Sequence, residues 1–337
     1  MMKIDILLCT DKHYVMPCGI TIFSICYHNK QHEVYFHVFS EGVTYDRKKR
    51  IREMVEAQRQ NVIFYDVDSS LLDCVPVVNR FRLSIYYRLL MTRLLPSSLH
   101  RVLYLDSDII VRGDLAEIWS EDIDGFALGA VLDQNCDDIR NYSRNDLEPL
   151  SGYFNSGVLL VNLDYWRSHN IGDKCIEYVY KHSTEIEYPD QDALNVVTFR
   201  KWKAMPFAFN TQSFMYYKEN EIIARLGYVR QMVSASMNPL VMHFTDARKP
   251  WMEGCLHPFV NEYLKYKNLS PWQQTPLEKR KNEGRLIKIC RRIKHVGVKL
   301  GLVSNTQEYS HYRNFQGKKL PEYANSPSVK INNDPTT

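Results

Sequence analysis

Over the first 112 residues the hydrophobic period switches repeatedly between strand and helix, and this alternation limits the fold more than any other feature of the chain. Residues 4–9 form an apolar run of strand length, and residues 17–28 repeat at helical spacing with a proline in the first turn. Residues 34–39 read as a strand, 44–60 as a charged amphipathic helix and 62–67 as a strand. Residues 84–95 read as a helix capped by Ser84 and stopped before Pro96, and 102–105 as another short strand. Strands joined by crossover helices pair in parallel and are covered on both faces. The expectation is an α/β fold: a mixed, mainly parallel sheet flanked by helices.

In such sheets ligands bind beyond the carboxyl ends of the strands. Three polar strand ends result: Thr10-Asp11, Asp66-Val67-Asp68 and Asp106-Ser107-Asp108. Neither G-x-G-x-x-G nor G-x-x-x-x-G-K-[ST] is present, so dinucleotide and P-loop readings gain no support. Further along, residues 151–163 read as a polar turn followed by a strand, 164–182 and 190–199 as helices, and 241–251 as a short strand and loop.

Asp106 and Asp108 stand two apart at the end of an apolar strand and project to the same side. A hard divalent cation takes such carboxylates together with substrate phosphates. The alternative is a turn whose aspartates bond their own backbone. His243 follows an apolar run, six residues before Lys249-Pro250-Trp251. Imidazole suits Mn²⁺ and lysine suits phosphate, although a lone histidine is commonly structural. Asp190, Gln191 and Asp192 open a helical pattern, where Asp190 as a cap accounts for them. Phe154-Asn155-Ser156-Gly157 reads by itself as a turn. A strand ending in D-x-D also fits a phosphatase with Asp106 as nucleophile and Asp108 as acid, though such motifs open their domain, and here about a hundred residues precede it.

Taken together and in order, these segments resemble glycosyltransferase family 8, particularly the bacterial lipopolysaccharide galactosyl- and glucosyltransferases. The resemblance spans roughly residues 3–272 and rests on Cys9-Thr10-Asp11-Lys12-His13-Tyr14, Tyr87-Arg88-Leu89, Leu103-Tyr104-Leu105-Asp106-Ser107-Asp108, Phe154-Asn155-Ser156-Gly157-Val158, Asp190-Gln191-Asp192, and His243 with Lys249-Pro250-Trp251. It implies a GT-A-type nucleotide-diphospho-sugar transferase fold over residues 1–272. It also implies a retaining hexosyltransferase that uses UDP-glucose or UDP-galactose and a saccharide or glycolipid acceptor in lipopolysaccharide or other surface glycan synthesis. By the same resemblance Asp106, Asp108 and His243 match ligands of Mn²⁺, with Mg²⁺ as the alternative ion. Cys9, Thr10, Asp11 and Tyr14 match the uridine segment. Arg88, Asp106, Ser107 and Lys249 match donor contacts. Asn155, Asp190 and Gln191 match the sugar and acceptor side, to which Asp133 is added; Asp190 is the candidate nucleophile or oxocarbenium stabiliser. A UDP-sugar-binding protein without turnover remains the second reading. One departure stands out: the family has glycine three residues after the histidine, and this chain has Asp246, whose charge opposes a diphosphate unless it is paired, Arg248 being the nearest candidate.

The net charge is only +4, but residues 279–303 carry nine Lys or Arg and a single acid, Glu283, leaving the remainder acidic on balance. Leu286, Ile289, Cys290, Ile293, Val296 and Leu300 fall at helical spacing within that stretch. Residues 273–304 are expected to form a basic amphipathic tail on an anionic membrane surface, the alternative being a helix packed on the domain; residues 305–337 are expected to be a flexible end. Eight cysteines without a C-x-x-C, an N-terminus unlike a secretory signal and no bilayer-length apolar run point to a cytoplasmic protein, peripheral on the inner face of the plasma membrane; nucleic acid is not an expected partner.

Overall fold

The structure is a computed structural model that describes residues 1–73, 75, 82–136, 152–216 and 228–279. The basic tail from residue 280 and the expected flexible end lie outside the described residues.

The amino-terminal half follows the alternation. β1 (Lys3–Asp11) leads into α1 (Val15–His28), β2 (Glu33–Glu41), α2 (Tyr45–Ala57) and β3 (Asn61–Asp66). A 3₁₀ helix, Leu83–Leu90, runs directly into α3 (Met91–Leu94), followed by β4 (Arg101–Leu105), β5 (Ile109–Val111), α4 (Ala116–Trp119) and β6 (Leu128–Leu132). Then come β7 (Phe154–Asn162), α5 (Leu163–His169), α6 (Ile171–Lys181), α7 (Pro189–Val197), β8 (Trp202–Ala204) and β9 (Thr211–Gln212). α8 (Val229–Met237), β10 (Val241–His243) and α9 (Val260–Leu269) complete the set. Among the described residues no helix is long and apolar enough to cross a membrane.

Seven strands form the main sheet in the order β3-β2-β1-β4-β7-β6-β8. β1, β2, β3 and β4 are parallel, whereas β7 runs antiparallel to both β4 and β6. Every residue of β1 after Lys3 is buried, as a strand covered on both faces requires. A small second sheet, β5-β10-β9, sits against this frame.

Four local expectations change. The 84–95 segment is mostly 3₁₀, and Ser84 caps nothing; its hydroxyl donates to Asp11 Oδ2 at 3.2 Å. Tyr86 to Leu90 are all buried, a run of five without a solvent-facing residue, unlike the one-sided burial of an amphipathic α-helix. The 164–182 helix is broken at Asn170, whose left-handed φ of 53° ends α5. Phe154-Asn155-Ser156-Gly157 is not a turn but the start of β7, with a register irregularity opposite Ala130 and Val131. β6 lies beyond the 112 residues of the alternation and pairs antiparallel with β7.

The chain beyond α9 stays attached. Trp272 is buried against α1, and a Cβ on Gly19 would lie 2.0 Å from its ring. Glu278 N–H then donates to Trp251 O at 2.9 Å, and Glu253 N–H donates to Glu278 O at 3.1 Å. His257 sits among the rings of Phe244 and Tyr216, at 4.7 and 5.3 Å, and burial pushes its imidazole down to about 3.

Two outcomes follow from this packing. Gly19→Ala lowers unfolding stability by about 1–3 kcal/mol in urea titrations, and the loss shrinks in a Trp272→Ala background where the ring is gone. A histidine with a depressed folded pKa contributes fully above its unfolded value of about 6.5 and loses that contribution as pH falls toward the folded value. Stability therefore declines below pH ~6.5 with a one-proton slope of about 1.4 kcal/mol per pH unit from this group. In His257→Asn, whose amide oxygen can still accept from Phe259 N–H, the slope of denaturation midpoint against pH loses that proton.

Candidate active site

The site forms where the two sheets meet. Asp106 leaves the end of β4, and its N–H donates to Gly157 O on β7 at 2.9 Å. The turn to Asp108 is clamped by α1, whose Thr21 hydroxyl reaches both Ser107 O (3.0 Å) and Ile109 O (2.8 Å). β5 then pairs antiparallel with β10 in a register that sets His243 opposite Ile109. His243 Nε2 consequently lies 3.2 Å from Asp108 Oδ1 and 3.7 Å from Asp106 Oδ2, and the three ligand atoms fall within 4.8 Å of one another. Cis positions around an octahedral ion with ~2.1 Å bonds are about 3 Å apart, so two carboxylate oxygens and an imidazole nitrogen at these separations fit one divalent cation. Gly157 makes the approach possible: a Cβ there would lie 2.2 Å from His243 Cε1 and 2.7 Å from Asp106 Oδ2.

Two cations hold this cluster. Lys249 Nζ donates to Asp108 Oδ2 at 2.7 Å and to Phe244 O at 2.6 Å. Burial works to raise the Asp108 carboxyl, but the Lys249 ammonium beside it outweighs burial and keeps the group far below the usual carboxylate range. Arg88 is buried over the Tyr104 ring, 4.3 Å from its centroid. Its Nη2 donates to Asp106 Oδ1 at 2.7 Å, and its Nη1 donates to Ser156 O at 2.7 Å and stands 3.3 Å from Asp190 Oδ2. The Tyr104 hydroxyl also donates to Asp106 Oδ1, at 2.6 Å.

The far wall comes from β7 and α7. Asn155 Nδ2 donates to Asp133 Oδ2 (3.0 Å) and Gln191 Oε1 (3.2 Å), and Gln191 Oε1 also accepts from Ser156 N–H at 3.0 Å. Asp190 accepts from the Ser156 hydroxyl at 2.9 Å and does not cap α7, whose cap position is Tyr188. Burial raises the Asp190 carboxyl against the pull of Arg88, and burial raises Asp133 against its bond from Asn155. Asp192, fully buried, ties down the chain that enters α7, accepting from the N–H groups of Glu187 and Tyr188 at 2.9 and 3.0 Å and from the Tyr153 hydroxyl at 2.5 Å.

The opposite wall is the end of β1. Cys9, Thr10 and Tyr14 face a cavity of about 460 Å³, of a size that takes a small-molecule ligand. Asp11 does not face it: its carboxylate accepts from His13 N–H at 2.7 Å, Tyr14 N–H at 3.2 Å and the Ser84 hydroxyl. Tyr14 packs edge-on against Trp251 at 5.6 Å, and burial pushes its hydroxyl up to about 12. Ser107 lines the cavity while its hydroxyl donates to Cys9 O at 2.9 Å. Burial raises the Cys9 thiol far beyond its usual range, so no thiolate stands here.

Of the residues singled out by sequence, the cavity lining includes Cys9, Thr10, Tyr14, Arg88, Asp106, Ser107, Asp108, Asn155, Asp190, Gln191, His243 and Lys249, and also Asp246. Asp133 reaches the site through Asn155. Arg248, the expected partner of Asp246, donates to Gly254 O at 3.1 Å. The Asp66 and Asp68 strand end is not among the lining residues; Asp66 pairs with Lys48, and Asp68 accepts from Ser70 N–H at 3.0 Å. Arg82, Ile85, Thr245 and Met252 also line the cavity and carried no signal, since each belongs to a segment whose position depends on tertiary packing.

The sequence profile described as glycosyl transferase family 8 matches residues 5–255. General stress protein A of Bacillus subtilis is 27% identical over 271 residues, which cover 79% of this chain and 94% of that protein. The lipopolysaccharide 1,2-glucosyltransferase of Escherichia coli is 26% identical over 296 residues, covering 87% and 85% of the two chains. Among solved structures, the galactosyltransferase LgtC in complex with donor and acceptor sugar analogues superposes with a TM-score of 0.71 at 24% identity, covering 80% of this chain and 96% of that one.

Because a methyl group at position 157 would occupy the space between His243 and Asp106, Gly157→Ala weakens divalent-cation binding at least about 100-fold in calorimetric titrations while circular dichroism stays that of the folded chain.

Proposed function

The chain belongs to glycosyl transferase family 8 and has the GT-A-type fold, and from that premise we propose that it moves a hexose, glucose or galactose, from a UDP-sugar to a saccharide acceptor with retention of anomeric configuration. The observation that carries the proposal is the convergence of Asp106, Asp108 and His243 on one point, with Lys249 beside them, on the floor of a cavity walled by Tyr14 on one side and Asn155, Asp190 and Gln191 on the other. Mn²⁺, or Mg²⁺ in its place, would be held by Asp106, Asp108 and His243 and would supply Lewis-acid stabilisation of the diphosphate.

The remaining work belongs to side chains. Lys249 offers a point charge at the diphosphate and is close enough to Asp108 to move between the two. Thr10 and Tyr14 bound the nucleoside end, and Asp11 serves it by holding Tyr14 and Ser84 in place. Asn155, Asp190 and Gln191 bound the hexose end. Retention leaves a same-face attack or a covalent intermediate. Gln191 is a neutral amide and a poor nucleophile; Asp190, beside Arg88, is the group suited to face positive charge at the anomeric carbon. The phosphatase reading with Asp106 as nucleophile gains no support from the family match, which spans residues 5–255.

The name of the Escherichia coli relative supports an acceptor in lipopolysaccharide or another surface glycan. The basic segment 279–303 is proposed to rest on anionic lipid at the cytoplasmic face of the membrane. Since Trp272 and Glu278 are tied into the domain, the segment is best removed after Lys279.

Four results test the proposal. With Mn²⁺ and a panel of UDP-hexoses, Asp106→Ala and Asp108→Ala lose at least about 100-fold of turnover while remaining folded, and chelation does the same to the unsubstituted chain; full activity in either variant removes the assignment. Asp190→Asn loses most transfer with UDP affinity unchanged in calorimetry, and unaltered transfer excludes it from the chemistry. Tight UDP binding without transfer or hydrolysis of any UDP-hexose would instead favour a non-catalytic binding protein. Sedimentation with anionic liposomes retains the full chain and not the chain ending at Lys279; equal retention rejects the membrane role.

A further inference from the structure

Asn210 ends a 3₁₀ helix, Phe207–Asn210, immediately before β9, and is fully buried. It lies outside every motif read from the sequence and does not line the cavity. Its side chain spans the site from behind: Nδ2 is 2.9 Å from Asn155 Oδ1, and Oδ1 is 3.0 Å from His243 Nδ1.

The orientation of these groups follows from donors that cannot be reversed. A backbone N–H only donates. Gly157 N–H meets the Asn155 side chain at 3.0 Å, so the atom it meets is the amide oxygen. The other end of Asn155 is then Nδ2, as its approach to the Asp133 carboxylate requires. Ser156 N–H independently fixes Gln191 Oε1 as an acceptor, which again demands Nδ2 of Asn155 opposite it. Asn155 Oδ1 is thus an acceptor, and the atom of Asn210 that faces it must be Nδ2. That places Asn210 Oδ1, which has no hydrogen, against His243 Nδ1, so the imidazole carries its proton there. In the neutral ring Nε2 then keeps its lone pair, directed at the point where Asp106 Oδ2 and Asp108 Oδ1 converge.

We propose that Asn210 is a positioning residue of the cation site, which fixes His243 as the Nδ1–H tautomer and links the ring to Asn155 at the hexose end. A ligating histidine generally needs its second nitrogen held in this way, and loss of the holding group costs about 10–100-fold in metal affinity. Here the holding group is an amide, which gives a second bond to the other half of the site; a carboxylate or a backbone carbonyl could not donate to Asn155. The assignment rests on the cation reading given above, and its test separates the two.

The test is Mn²⁺ binding followed by electron paramagnetic resonance without nucleotide, in the full chain and in Asn210→Leu and Asn210→Asp. Asn210→Leu should bind Mn²⁺ about 10–100-fold more weakly. Asn210→Asp can still accept from Nδ1 but cannot donate to Asn155, so it should keep Mn²⁺ affinity within about threefold while kcat for transfer drops; loss of both together would point to general disruption and overturn the assignment. No Mn²⁺ binding by the unsubstituted chain sinks the cation reading and this inference with it. Normal binding there and in Asn210→Leu sinks the inference alone. Should Asn210→Leu fail to fold, the ¹⁵N shifts of His243 in the Mg²⁺-loaded unsubstituted chain decide: a protonated Nδ1 with Nε2 ligated upholds the assignment, and a protonated Nε2 overturns it.

Discussion

The antiparallel register between β5 and β10 is the constraint on which the site depends. It pairs Val241, Met242 and His243 with Val111, Ile110 and Ile109, and all six residues are buried. Side chains alternate along a strand, so a slip of one residue would send the imidazole to the opposite face and bring Met242 to the carboxylates. The register is held from several sides. α1 grips the turn before β5 through Thr21, and the Ser24 hydroxyl accepts from Val111 N–H at 3.0 Å. β9 pairs with the other edge of β10, opposite His243 and Met242.

Arg88 performs the equivalent task for charge. One guanidinium meets Asp106 beside His243 and Asp190 on the α7 wall, with Ser156 between them. A buried arginine with two carboxylate partners is costly to strip of either, so the distance between the two ends is set by a rigid planar fork rather than by loop conformation. Ser156 and Asn155 extend the connection along β7, whose bare Gly157 admits the histidine ring.

Much of this was legible in the chain. The parallel strands β1, β2, β3 and β4 follow from apolar runs of the right length, and D-x-D at the end of β4 points to the site because strand ends in α/β sheets face the ligand crevice. The companionship of Asp106, Asp108 and His243 was readable only through the resemblance to a family, since no local pattern relates positions so far apart. Asp11 shows the other limit: it occupies the expected segment, yet its carboxylate turns inward to the His13 and Tyr14 amides. Asn210 gave no signal at all, because an asparagine beside aromatic residues has the composition of an ordinary turn and its partners come from β7 and β10.

β10 also bears on how the protein is made. It is inserted between β5 and β9, and the loop that follows it is closed by the pairing of Glu278 with Trp251. A ribosome delivers residues in order, and the long parallel core from β1 to β4 can collapse while the later third is still unsynthesised. The nascent chain therefore carries the β1 wall of the cavity and both aspartates well before the histidine and lysine arrive. Completion of the cluster of two carboxylates and an imidazole thus waits on one late docking step, the pairing of β10 with β5, rather than accumulating gradually as the chain emerges.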